Sequence, residues 1–173
     1  MNTRKLVTDA MLVAMYVVLG MVGTIDLVTM KISVASLPII VGALLYGPVD
    51  GLLIGFVGAF AEQMLKYGFS ATTLLWCLPA LFRGLIVGLC ARKFRFELDF
   101  KRMLACLVPA AVVVTLINTG VWYLDSKIYG YYSAAVVFGD FLTRIVSGVL
   151  TMLVFTAILP PVLKALRKIA DRR

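Results

Sequence analysis

The chain contains no histidine, and its three cysteines, Cys77, Cys90 and Cys106, show no Cys-x-x-Cys spacing. Those absences remove the usual metal ligand sets, and no metal site is expected. The cysteines fall in or at the ends of apolar segments, where they read as core packing rather than a disulfide framework. Charge is scarce as well: 15% of the 173 residues are charged, with nine Asp and Glu in all. The carboxylates are scattered over different segments, so neither an acid/base pair nor an activated nucleophile can be assembled from them. The expectation is no catalytic residue, no cofactor and no enzyme. A Gly-x-x-x-x-Gly-Lys-Ser/Thr phosphate loop is missing too, so energy from a nucleotide would have to come from partner proteins. No internal repeat of the kind common in secondary transporters is evident.

What the chain has is apolar length. Hydrophobic residues make up 62% of it and the mean hydropathy is +1.00, far above the soluble balance. The expectation is an all-α integral membrane protein, one domain over residues 1–173. A spanning helix needs about 20 mostly apolar residues, and six spans are predicted. They run from about Leu6 to Gly23, Leu37 to Tyr46, Gly51 to Leu65, Thr72 to Cys90, Met103 to Leu124 and Ala134 to Leu163. The second is short and is expected to borrow residues from about Ile32; it ends at the turn signal Gly47-Pro48-Val49-Asp50-Gly51. Thr24 to Ser36, with Asp26 and Lys31, reads as a loop or surface-lying piece. Met1-Asn2-Thr3-Arg4-Lys5 leads into the first apolar stretch without a small-residue cleavage site, so a retained helix is expected rather than a signal peptide.

A net charge of +8 would suggest nucleic acid in a soluble chain, but here its distribution sets orientation instead. With six spans and the N-terminus inside, 12 of the 17 Lys and Arg face the cytoplasm, while Lys31, Lys66 and Lys127 face outward. Both termini are therefore predicted to be cytoplasmic. Nucleic acid is excluded as a partner.

Arg83 and Arg144 complete the 17, and they lie deep inside spans. A guanidinium in hydrocarbon is costly and marks a functional interior. By helical spacing, Trp76 and Arg83 share a face of the fourth span; Thr115, Asn118, Trp122 and Asp125 share one on the fifth; Asp140, Arg144, Ser147 and Thr151 share one on the sixth. At 1.5 Å per residue, Arg83 lies roughly 15 Å from the outer end of its helix. Three polar stripes in the outer half point to an outward cavity for a polar or anionic small molecule. Trp76 and Trp122 offer stacking faces, and Asn118 offers edge hydrogen bonds to a flat heterocycle. The competing structural account makes these charges mutual salt bridges, Asp140 to Arg144 and Glu62 to Arg83. The aromatic run Trp122-Tyr123, Tyr129, Tyr131 and Tyr132 also fits an interfacial belt. Ala10 and Ala14 form an Ala-x-x-x-Ala pair that would let another helix approach closely, either a partner's or one of the chain's own. Gly51, Gly55, Gly58 and Ala59 on the third span, and Gly84 and Gly88 on the fourth, predict tight packing inside the bundle.

The six-helix pattern, Ala10-x-x-x-Ala14, and Leu37-Pro38-Ile39 leading to Gly47-Pro48-x-x-Gly51 resemble the substrate-binding S components of energy-coupling factor (ECF) vitamin transporters. The resemblance covers nearly the whole chain. Tyr67-Gly68-Phe69-Ser70, Arg83-Gly84-Leu85 and Asn118-Thr119-x-x-Trp122 look most like the folate branch, although the short connection carrying Ala71-Thr72-Thr73 departs from it. Pyridoxine, hydroxymethylpyrimidine and pantothenate are the alternative vitamins. The resemblance implies a multi-pass protein of a bacterial cell membrane that captures its vitamin from outside under the loop between the first two helices. It also implies docking, through Ala10 and Ala14, on a membrane coupling protein bound to two ATPase subunits. The substrate-binding residues expected from the polar faces are Trp76, Arg83, Asn118, Trp122, Asp140 and Arg144. A small non-ECF membrane transporter or a structural membrane subunit are the other readings.

Overall fold

A computed structural model describes residues 3–22, 24–27, 30–96 and 99–171. Gly23, Val28, Thr29, Glu97 and Leu98, and the terminal Arg172 and Arg173 counted above, lie outside the described residues.

A ten-residue helix sits at the centre of the bundle. It is α2 (Leu37–Tyr46), and its Ile39, Ile40, Ala43 and Leu44 are fully buried. Ten residues rise about 15 Å, too little to cross a bilayer, so protein rather than lipid covers these apolar groups. A 3-10 turn over Val34–Ser36 leads into it, and Pro38 suits the first helical turn. Packed around α2 are α1 (Thr3–Val22), α3 (Pro48–Tyr67), α4 (Thr73–Lys93) and the long last helix α7 (Phe141–Asp171). Between α4 and α7 runs α5 (Phe100–Ile128), with the short α6 (Ala134–Phe138) resting on it. Among the described residues five helical segments are long and apolar enough to span a membrane, and Val34–Tyr46 is a shorter apolar sixth.

Two predicted segments differ from expectation. Thr24 to Ser36 is no irregular loop. It forms a hairpin, β1 (Thr24–Leu27) antiparallel to β2 (Met30–Ser33), with Ile25 opposite Ile32 and Asp26 opposite Lys31. The β-branched Thr24, Ile25 and Ile32 favour extended backbone, and β2 gains support by lying against α7. Ile32 therefore belongs to the hairpin, and the second helical segment starts only at Val34. The sixth span, predicted as one helix, is broken at Gly139 and Asp140 into α6 and α7. Both are weak helix formers, and Asp140 suits the start of a new helix, its carbonyl accepting from the Arg144 amide at 3.0 Å.

The glycine seam between α3 and α4 is as the sequence predicts. A Cβ on Gly51 would stand 2.7 Å from the Gly84 carbonyl oxygen, and Gly55 and Gly88 face Ala80 and Pro48 with as little room. The two backbones touch directly, which is how helices gain dispersion contact in lipid. At the far end from the hairpin, Lys5 pairs with buried Asp50 at 2.8 Å. That carboxylate also meets the positive end of α3 from its first turn. Cys77 and Cys106 are buried, Cys90 partly so, and all three are free thiols.

Candidate ligand-binding site

The polar residues predicted to form stripes fall in separate groups: Trp76 and Asp125 lie toward the hairpin end of the bundle, whereas Arg83 lies deeper, beside the Gly51–Gly84 contact. At the ends of α4 and α5, buried Asp125 accepts hydrogen bonds from Trp76 Nε1 at 3.2 Å, from the Tyr131 hydroxyl, and from the Thr72 side chain. Three donors satisfy a carboxylate that would otherwise be expensive to bury. The bond to Asp125 pushes the Tyr131 phenol up to about 12, which keeps it protonated and donating. Asp125 therefore staples α4, α5 and the following connection, and it fixes the plane of the Trp76 ring. Trp76 has no N–H left for a ligand, only its faces. The same rim holds Tyr123 and Tyr132 edge to face at 5.4 Å, with Lys127 4.3 Å above the Tyr132 ring.

Arg144 is arranged differently. Its guanidinium lies 4.6 Å over the Trp122 ring and donates from Nη2 to the carbonyl of Val137. That carbonyl is free because α6 ends there, so the break in the sixth span supplies the acceptor. Nε and Nη1 of Arg144 are buried with no hydrogen-bond partner among the described residues, and the same holds for Nε of Arg83. Arg83 lies within electrostatic reach of Tyr16 of α1, which faces Glu62 of α3 as well. Buried N–H groups without an acceptor cost free energy, although each arginine side chain as a whole is only half-buried.

The salt-bridge account of the charges is not what the described residues show. Glu62 pairs with Lys66 at 2.6 Å. Asp140 is exposed in the turn before α7, with its carbonyl used by that helix. Asn118 is half-buried one turn from Trp122, and a Cβ on Gly148 of α7 would lie 3.4 Å from Thr115 Oγ1, so this polar face of α5 meets α7. Tyr67 and Phe69 point to the exterior. The structure thus joins Trp76 to Asp125 and Trp122 to Arg144, while Arg83 sits with Tyr16. In the sequence Thr72 and Tyr16 carry no role and Tyr131 falls only in an interfacial belt, while Asp125 shares the polar face of Trp122 by its i, i+3 spacing. Ala10 and Ala14 are both exposed on α1 beside Met11 and Val18.

The family described as ECF-type riboflavin transporter, S component, matches residues 1–168. The chain belongs to this family. As an S component it is the membrane-embedded substrate-binding subunit of a vitamin transporter, not an enzyme. A solved S component of a bacterial ECF transporter has the same fold, with a TM-score of 0.68 at 19% identity over 96% of this chain and 99% of that one. UPF0397 proteins of Streptococcus agalactiae serotypes Ia, V and III are each 27% identical to this S component over 158 residues, 86% of either chain. The family resemblance seen in the sequence is borne out at this level.

Proposed function

We propose that this S component captures a vitamin with a flat, carbonyl-rich ring system from outside a bacterial cell and hands it to an ATP-driven module. The observation that carries the reading is the set of buried, unpartnered N–H groups on Arg83 and Arg144, one of those guanidiniums preoriented on the Trp122 face. Acceptors on the ligand would fill those donors, Trp122 and Trp76 would flank its ring, and Asn118 would bond its edge. Asp140, exposed, stands at the periphery. Both termini face the cytoplasm in this reading, and the hairpin then lies on the outer side.

Riboflavin is the first candidate, on the family's own description. Folate is the second, on Arg83-Gly84-Leu85 and Asn118-Thr119-x-x-Trp122. The two differ in charge: folate brings carboxylates to the arginines, riboflavin only ring carbonyls and hydroxyls. Mass spectrometry of the small molecule that co-purifies, followed by calorimetric titration with riboflavin and with folic acid, tests the assignment. Recovery of a vitamin without a planar ring would overturn it.

Exposed Ala10 and Ala14 support a docking face for a membrane coupling protein that carries two ATPase subunits. Small side chains at this spacing allow close helix approach, and exposure sets them apart from the chain's own packed seam.

A further inference from the structure

At the end of the bundle away from the hairpin, an open cavity of about 330 Å³ lies between α1, the α2–α3 turn and the end of α4. Small-molecule sites occupy roughly 300–1,000 Å³, so the space is large enough to hold a ligand group. The apolar spans of α1 and α3 begin here, at Lys5 and Pro48, and that of α4 ends here, at Lys93. The cavity therefore stands where three spans reach the membrane surface. Vitamin capture as described above makes no use of it.

Three contacts fix its walls. Lys5 of α1 pairs with Asp50 of α3 at 2.8 Å. Gly88 of α4 lies so close to the α2–α3 turn that a Cβ would stand 2.4 Å from Pro48 Cα. Beyond α4, Arg95 and Phe96 both take left-handed backbone, with φ of 52° and 60°, which non-glycine residues adopt at a cost. The Phe96 amide donates to the Ala91 carbonyl at 2.9 Å and holds that turn. Its ring thereby folds back to Gly47 and walls the cavity.

Charge is layered across this space. Asp50 is 5% exposed and is already satisfied by Lys5 and by the first turn of α3. Asp9, one turn along α1 from Lys5, adds a second carboxyl beside it, with Oδ1 buried. The cations stand outside these acids. The Lys5 side chain is 36% exposed, and Arg92 is exposed, with no ion pair among the described residues. Apolar Val49 lies exposed at the same mouth. A free anion would need only the cations, whereas positive charge beside an outward apolar side chain suits a head group that carries acyl chains. We propose that this cavity binds the phosphodiester of an anionic phospholipid, held by Arg92 and the remaining N–H groups of Lys5, with its chains against Val49. Basic pockets between spans suit such head groups. The site is independent of which vitamin the protein carries.

Native mass spectrometry of the purified full chain, given equimolar phosphatidylglycerol and phosphatidylcholine in neutral detergent, tests this. Wild type should retain phosphatidylglycerol in preference. Arg92→Gln should cut that preference about fivefold, the contribution of one cation at an anionic lipid surface. Lys101→Gln removes an exposed cation at the start of α5, outside the cavity, and should leave the preference unchanged. Equal losses in the two variants would reduce the effect to diffuse surface charge and overturn the site, as would equal retention of both lipids by wild type. Excess inorganic phosphate, compared with chloride at matched ionic strength, should not displace the lipid; displacement would make this a free-anion site and overturn the lipid assignment. If adducts are lost in the gas phase, thermal midpoints in nanodiscs decide. Phosphatidylglycerol should raise the wild-type midpoint above that in phosphatidylcholine and raise that of Arg92→Gln less. No rise in wild type, or an equal rise in both proteins, overturns the proposal.

Discussion

Arg144 and Asp125 show opposite ways of keeping a charged group inside this protein. Asp125 is saturated by Trp76, Tyr131 and Thr72, so its role is structural. Asp125→Ala should strand the Trp76 and Tyr131 donors and cost about 1–3 kcal/mol of stability, read as a lower thermal midpoint in detergent. Arg144 has two buried N–H groups without a partner among the described residues, above Trp122. Arg144→Ala and Arg83→Ala should each weaken vitamin binding at least about tenfold. Arg144→Lys should not restore it, because an ammonium neither stacks nor presents a planar fork. Unchanged affinity in both alanine variants would remove the arginines from the site. Tyr131 adds a pH signature. Its pKa of about 12 lies above the ordinary 10.0, so the stability it contributes is full below pH 10 and is lost as pH rises through about 12. With Trp122→Phe as background, Trp76 fluorescence should stay level to about pH 10 and change near 12, a transition that Tyr131→Phe should abolish.

Among the elements, the α3–α4 seam carries the tightest steric constraint. A Cβ at Gly84 collides with the Gly51 backbone, whereas one at Gly120 of α5 meets nothing within 4 Å. Gly84→Ala should therefore destabilise by about 1–3 kcal/mol through overpacking, and Gly120→Ala should be neutral or slightly stabilising. Equal thermal midpoints for the two variants would show that the seam relaxes freely. The break between α6 and α7 is equally consequential. An unbroken helix would bury the Val137 carbonyl in its own ladder and deprive Arg144 of the acceptor that holds it over Trp122.

For the whole molecule, the exposed face of α1 is where binding and delivery can be tested apart. Ala10 and Ala14 lie on it, away from the residues proposed to touch ligand. Ala10→Trp with Ala14→Trp should leave vitamin affinity near wild type in purified protein while abolishing uptake and co-purification with the ATPase module in cells. Loss of binding along with uptake would mean that the alanines pack against the chain itself, and retained uptake would rule out docking there.

Membrane character and the apolar segments follow from composition and period, because lipid imposes one demand on every spanning segment: bury apolar side chains outward and satisfy the backbone within. The glycine seam was legible for a similar reason, since only small residues permit backbone contact. Arg83 and Arg144 stood out because charge in an apolar run has so few explanations. The partners of those charges were not legible. Helical spacing places residues on faces but leaves the rotation of each helix against its neighbours open, and that rotation gave Asp125 to Trp76, whereas Glu62 pairs with Lys66 one turn along the same helix. The hairpin and the break at Gly139–Asp140 were equally hidden, since short segments take their conformation from what they pack on: α7 for β2, and α5 for α6. Hydropathy alone determined that this chain lives in a membrane. Tertiary contact decided which of its few charged groups are spent on the fold and which keep donors unpaired among the described residues.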